Sequence, residues 1–271
     1  MSKNVKPLTN EQLKLKAPTL FTSEPHFEVS EKYHFIPTID VIEEIRVHNW
    51  YPVSVNVANV RDEEKEGFQQ HCVRFRHFED LLNPKDNAVE LLLFNSHDRS
   101  KAFSISAGIF RFVCANGLVI SDSVFETYKI KHLGERDNDV ANAVNNITAI
   151  KPKLMEKINK LESITLNQSE KESFAKYSIP LRFEEHLEIN HNDLLIPHRV
   201  EDSKDDLYTV LNVIQENLLR GNISGINKET KRRFTSKEIT SISKDTQLNK
   251  GIWDIAEKIA SIKDSNYLVA A

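Results

Sequence analysis

The chain has 271 residues, a net charge of −4, a pI near 6.2 and 28% charged residues. That composition excludes a uniformly basic, nucleic-acid-coating surface, although a local basic segment could still bind phosphate. No run of about 18 apolar residues reads as a membrane span. Cys72 and Cys114, the only cysteines, exclude a disulfide framework and suit reduced structural thiols.

From the N-terminus, Met1 to Lys6 carries lysines with no apolar stretch behind them, so no leader is expected and the reading is of a cytoplasmic protein. Thr9 with Gln12 forms a capping box for a short helix that must end before Pro18. A second helix is expected from Thr38 to about His48, with Val41, Ile42 and Ile45 on its apolar face and Thr38 as its cap. Three strands follow: Val53–Val57, which alternates strictly, Cys72–Arg76, which alternates apolar and basic, and Glu90–Phe94, a short buried run. The links 61–67 and 82–87 read as hairpin loops.

The segment 103–120 changes period. Phe103, Ile105 and Ala107 alternate as a strand would, but beyond Gly108 the apolar residues Ile109, Phe110, Val113 and Cys114 fall on a helical face. Asn116 and Gly117 then read as a left-handed helix stop, and Leu118 to Ile120 as a strand. The expectation is strand, short helix, strand.

From Asp137 onward the pattern is helical. Val140, Val144 and Ile147 share a face, Pro152 interrupts, and Leu154, Ile158 and Leu161 continue. Ser169 with Glu172 reads as the start of another helix. The acidic stretch 182–206 carries a net −5, and a helix then runs from about Asp205 to Arg220 with Gly221 as its stop. Between Arg220 and Lys250 the charge reverses to a net +5, which reads as a mobile basic loop over 221–250. A last helix lies around Ile252–Ala256. The fold class expected is α+β: an antiparallel strand meander with flanking helices over 1–136, then a mainly helical portion over 137–271.

Three chemistries compete. Arg74 and Arg76 would share one strand face, as would Lys129 and Lys131. With Arg111 and His132 they could line a positive stripe, and Lys231, Arg232 and Arg233 beside Phe234 could grip a phosphate backbone. The bland alternative is that these cations solvate the outer face of a half-covered sheet. Cys114 and His132 could form a nucleophile and base oriented by Asn116 or Asp98, but a thiol following Phe110, Phe112 and Val113 is usually inert. His71, His77, His97 and His132 lack a tight metal-ligand spacing, and no glycine motif cradles phosphate. No catalytic residue, metal or cofactor is therefore assigned. The acidic stretch 182–206 could instead dock a host protein.

The segments Tyr33–Thr38, Leu93–Asp98, Gly108–Leu118 and Pro197–Asp202 through Gln215–Asn217 together resemble the prophage- and plasmid-borne proteins grouped as domain of unknown function 932. The resemblance runs from about Leu8 to Ile259 and implies a mobile-element context. In element order alone the chain is also similar to single-strand annealing proteins of the phage Red-beta type, which hold nucleic acid in a basic groove and form rings. Together these point to a non-catalytic single-stranded-DNA-binding accessory, which could form homo-oligomers.

Overall fold

A computed structural model of the protein describes residues 5–29, 35–60, 62–111, 116–119, 128–129 and 136–270. The chain divides into two compact units, Met1–Pro152 and Lys153–Ala271. The fold is α+β: an antiparallel meander with flanking helices, followed by a mostly helical region.

In the first unit, α1 (Asn10–Lys16) is closed by the expected capping box, in which Thr9 Oγ1 accepts from the Gln12 N–H at 3.3 Å and Gln12 Oε1 accepts from the Thr9 N–H at 3.0 Å. The sheet runs β1 (Trp50–Val57), β2 (His71–His77), β3 (Asn87–Asn95), β4 (Ser104–Arg111), β5 (Asn116–Val119), each antiparallel to the last. A two-residue β6 (Tyr128–Lys129) pairs with the start of β4. The short α3 (Phe78–Leu82) follows β2. All nine residues of central β3 are buried, so its continuous Leu-rich run reflects cover on both faces.

One face of this sheet carries His71, Val73 and Phe75 beside Leu91 and Leu93. Over it lies α2 (Thr38–Val47), whose Val41, Ile42 and Ile45 are fully buried. At the sheet edge Trp50 Nε1 donates to Thr148 Oγ1 at 3.0 Å on α4 (Arg136–Ser163). Pro152 does not interrupt α4, which carries it inside one continuous helix. The apolar faces on either side of it, Val140–Ile147 and Leu154–Leu161, are each buried, so packing outweighs the lost backbone bond of about 3 kcal/mol.

The described residues 109–111 and 116–119 after Gly108 are strand, not helix. β4 runs through Arg111 and pairs with β5, with Phe110 opposite Gly117 and Arg111 opposite Asn116. The Asn116–Gly117 pair thus lies in a strand rather than at a helix stop. Pairing on both edges of β4 overrides the local helical spacing, a short-range signal weaker than a full ladder of strand hydrogen bonds. Cys114 lies outside the described residues.

In the second unit, α5 (Gln168–Ser178) starts two residues earlier than the Ser169 signal implies. Its capping box is Asn167 with Glu170. The acidic stretch is built into irregular turns and β7 (Leu187–Ile189). Asp206 caps α6 (Leu207–Arg220), accepting from the Thr209 N–H at 2.8 Å, and α6 is buried from Leu207 to Leu218. Gly221 ends it with a φ of 76°. The segment read as a basic loop folds instead as β8 (Ser224–Asn227), β9 (Arg233–Thr235) and the beginning of α7 (Ile242–Ala270). The last helix therefore starts ten residues before Ile252. Gly251 sits inside α7, where a Cβ would stand 2.4 Å from Leu181 Cδ2.

Candidate functional site

The β8–β9 hairpin presents the basic triplet. Its turn is set by Asn227, whose side-chain oxygen accepts from the N–H groups of Glu229 (3.0 Å) and Thr230 (2.9 Å), while its carbonyl accepts from the Lys231 N–H at 2.8 Å. Asparagine is suited to bonding its own turn in this way. Lys231 takes a φ of 57° to complete the reversal. Gly225 lets the three strands close up, because a Cβ there would come within 2.7 Å of both the Glu188 carbonyl and the Phe234 ring. Phe234 faces Phe183, with ring centroids 6.4 Å apart. Lys228, Lys231, Arg232 and Arg233 are exposed, and none of them forms an ion pair among the described residues. An aromatic held beside uncompensated cations is the arrangement that backbone-tracking, base-stacking surfaces use.

Beside the hairpin lies a groove of about 820 Å³, lined by Glu188, His191 and Asp193 on one side and by Arg233, Phe234 and Thr235 on the other. Acceptors and donors flank an aromatic ring there. The groove can seat a planar, hydrogen-bonding group with an anionic substituent at the Arg233 end.

The segments around Pro197–Asp202 and Gln215–Asn217 also meet in this unit. Arg199 forks onto Glu216 through Nη1 and Nη2, both at 2.8 Å, and reaches Asp202 at 2.9 Å. Glu216 raises the Arg199 guanidinium above its ordinary pKa by accepting those bonds. His198 Nε2 pairs with Asn217 Oδ1 at 2.8 Å, and Asn217 Nδ2 donates to the carbonyls of Leu194 and Ile196. These polar residues of an otherwise apolar helix pin the irregular stretch 190–203 to α6. The acidic stretch is therefore consumed in part by structure: Asp202 is buried on Arg199, and Asp206 caps α6.

The remaining sequence candidates divide. Arg74 and Arg76 do not project from an exposed sheet face. Arg76 is 1% exposed, lies directly opposite Glu90, and donates to Glu90 Oε1 at 2.7 Å. Arg74 Nε stands 3.3 Å from Glu90 Oε2, and Arg76 also stacks over Phe110 at 4.6 Å. This face is covered rather than half-covered, so these arginines ion-pair with a buried carboxylate. Arg111 is buried at 7% exposure. Lys129 lies in β6 opposite Ser104. Lys131 and His132 fall outside the described residues, as does any pairing of His132 with Cys114.

Sequence reasoning missed a buried polar cluster. Thr38 does not cap α2, whose N-cap is Pro37. Its hydroxyl instead meets His71 Nε2 at 2.8 Å and His97 Nε2 at 3.4 Å, and accepts from Asn95 Nδ2 at 3.0 Å. Burial pushes the His71 imidazole down to about 3 and His97 to about 4, so both rings are neutral near pH 7. Among the described residues no group of three or more His, Cys, Asp or Glu side chains could hold a metal ion, and no helix is long and apolar enough to cross a membrane.

The pattern of the family described as "Domain of unknown function (DUF932)" matches residues 25–253. Two proteins of Escherichia coli strain K12, "UPF0380 protein YfjQ" and "UPF0380 protein YafZ", are each 31% identical over 255 residues, which cover 94% of this chain and 92% of each relative. No solved structure matches.

Proposed function

The chain belongs to the family described as domain of unknown function DUF932, and from that premise, which assigns no activity, we propose that it is a non-catalytic protein that binds single-stranded DNA through the β8–β9 hairpin. The observation that carries the reading is the exposed set Lys228, Lys231, Arg232 and Arg233 beside Phe234, on a turn rigidified by Asn227. Single strands need cations along the backbone and an accessible ring for bases, each stacked base contributing about 1–3 kcal/mol. Arg74 and Arg76 are left out of the interface because both are drawn onto Glu90 inside the sheet, Arg76 being 1% exposed. In this reading the protein acts in the cytoplasm as an accessory of a mobile genetic element.

The test is fluorescence anisotropy with a labelled oligothymidylate at several salt concentrations. If the four hairpin cations each neutralise one phosphate, log K falls with log salt at a slope of roughly −2.8, about 0.7 per contact. Absence of binding below about 10 μM at low salt, where non-specific binding is at its strongest, overturns the proposal.

A further inference from the structure

Arg182 follows the single turn Ile179–Leu181 that closes α5. Its guanidinium lies over the Phe183 ring, 5.3 Å from the centroid. Nη2 donates to the carbonyl of Lys237, just beyond β9. Nη1 is buried and has no hydrogen-bond partner among the described residues. Burial holds this guanidinium below its ordinary pKa, and no carboxylate offsets the effect. The contrast with Arg199 is direct, since Arg199 is forked on Glu216. A cation drawn out of water without a counter-ion is costly, and the cost falls when an anion supplies the missing acceptor.

Arg182 lines a cleft of about 400 Å³ together with Lys237, Lys244, Thr240 and Ser241, in which Glu238 is the one carboxylate. Lys237 and Lys244 are exposed and form no ion pair among the described residues. Three cations and two hydroxyls on one cleft make a lining suited to a multidentate oxyanion. The cleft also lies at the start of α7, where the helix dipole has the same positive sign.

Lys237 of the cleft lies two residues beyond the end of β9. β9 remains extended past Thr235, with Ser236 donating to the Ile223 carbonyl at 2.9 Å and accepting from Asn222 at 2.8 Å. Arg233, Thr235 and Lys237 therefore fall on one side of this segment, and Arg233 and Lys237 are about 13 Å apart along it. Phe234 and Phe183 pack between the hairpin and Arg182.

We propose that Arg182, Lys237 and Lys244 form a phosphate-binding cleft, and that it receives a backbone phosphate of the strand held by the hairpin. The cleft stands on its own geometry, while its assignment to a nucleic-acid backbone rests on the function proposed above.

The full chain serves for both arms of the test. In the first arm, thermal unfolding followed by tryptophan fluorescence compares inorganic phosphate with chloride at matched ionic strength. Phosphate raises the midpoint of the wild type and leaves Arg182→Met unmoved. Equal midpoints for the wild type in the two salts overturn the cleft as an oxyanion site. In the second arm, oligothymidylate affinity is measured by anisotropy. Arg182→Met weakens it about tenfold, the loss of one charge-assisted contact, and Arg182→Lys restores part of it. Phosphate stabilisation with unchanged oligonucleotide affinity in Arg182→Met overturns the backbone assignment and leaves a site for free phosphate. Should Arg182→Met not fold, the double variant Lys237→Ser, Lys244→Ser takes its place in both arms, with the same outcomes required. The hairpin reading fails separately, if replacing Lys231, Arg232 and Arg233 leaves oligonucleotide affinity intact while phosphate still stabilises.

Discussion

Arg76 in the first unit is 1% exposed and bonded to a carboxylate that is itself buried, whereas Arg232 in the second unit stands exposed on the link between β8 and β9 with no ion-pair partner among the described residues. In the sequence both are arginines in short alternating or clustered basic stretches. The difference lies in what surrounds them. Arg76 faces Glu90 across a central strand covered on both sides, so its charge is spent inside the fold. The triplet Lys231–Arg233 sits where two short strands reverse, and its charge remains available to a partner. On the function proposed above, positive charge serves binding only where the fold leaves it uncompensated.

The comparison breaks most visibly at Glu90. Replacing it with Leu leaves Arg74 and Arg76 without their counter-ion in a buried setting and costs the first unit about 3–5 kcal/mol. Denaturant unfolding followed through Trp50 in a Trp253→Phe background measures this, since the chain has two tryptophans, one in each unit. A loss below 1 kcal/mol would show that the pair is not a structural requirement.

Acid sharpens the comparison next. His71 and His97 sit at about 3 and about 4 in the folded protein against an ordinary 6.5, so the unfolded chain takes up protons first as the pH falls. The stability lent by keeping the rings neutral is complete above pH 6.5 and is lost progressively down to about pH 4 for His97 and about pH 3 for His71. Between pH 7 and pH 5 the loss is about 2 kcal/mol for each ring. A His97→Asn variant should show a shallower decline of first-unit stability across this window, and the same slope as wild type would contradict the cluster's role.

A smaller effect is expected at Arg199→Leu. Glu216 keeps Arg220 at 2.7 Å, and Arg199 is a quarter exposed, so the cost to the second unit is about 1–3 kcal/mol. Trp253 fluorescence in a Trp50→Phe background reads it.

Much of this architecture was legible from residue order. The Thr9 and Gln12 box, the apolar face of α2, the meander of β1 to β3, the apolar faces of α4 and the Gly221 stop follow from local spacing, and local spacing decides them. What was not legible depends on partners distant in sequence. Thr38 reads as a cap, yet His71 and Asn95, 33 and 57 positions away, claim its hydroxyl. Asp98 bonds its own turn, accepting from the Ser100 N–H at 2.9 Å, but Asn95 and His97 nearby turn inward to the same cluster. One usable signal was overlooked. Glu90 is a lone carboxylate in a run of leucines, and such a residue requires a buried cation, which the alternation of Arg74 and Arg76 supplies. In the second unit, the polar triplet Gln215–Asn217 inside the apolar helix α6 was the corresponding sign of the Arg199 network.

The hairpin gives the finest and most direct contrast. Lys231→Ser, Arg232→Ser and Arg233→Ser together should change stability by less than about 0.5 kcal/mol, as expected for exposed residues, and Arg74→Gln should leave nucleic-acid binding untouched. The decisive measurement is the salt dependence of oligothymidylate affinity for wild type and for this triple variant. If the hairpin holds the strand, removing three phosphate contacts reduces the slope of log K against log salt by about 2, with folding preserved. An unchanged slope in the triple variant, or one that falls for Arg74→Gln instead, would contradict the assignment of the interface to the β8–β9 hairpin.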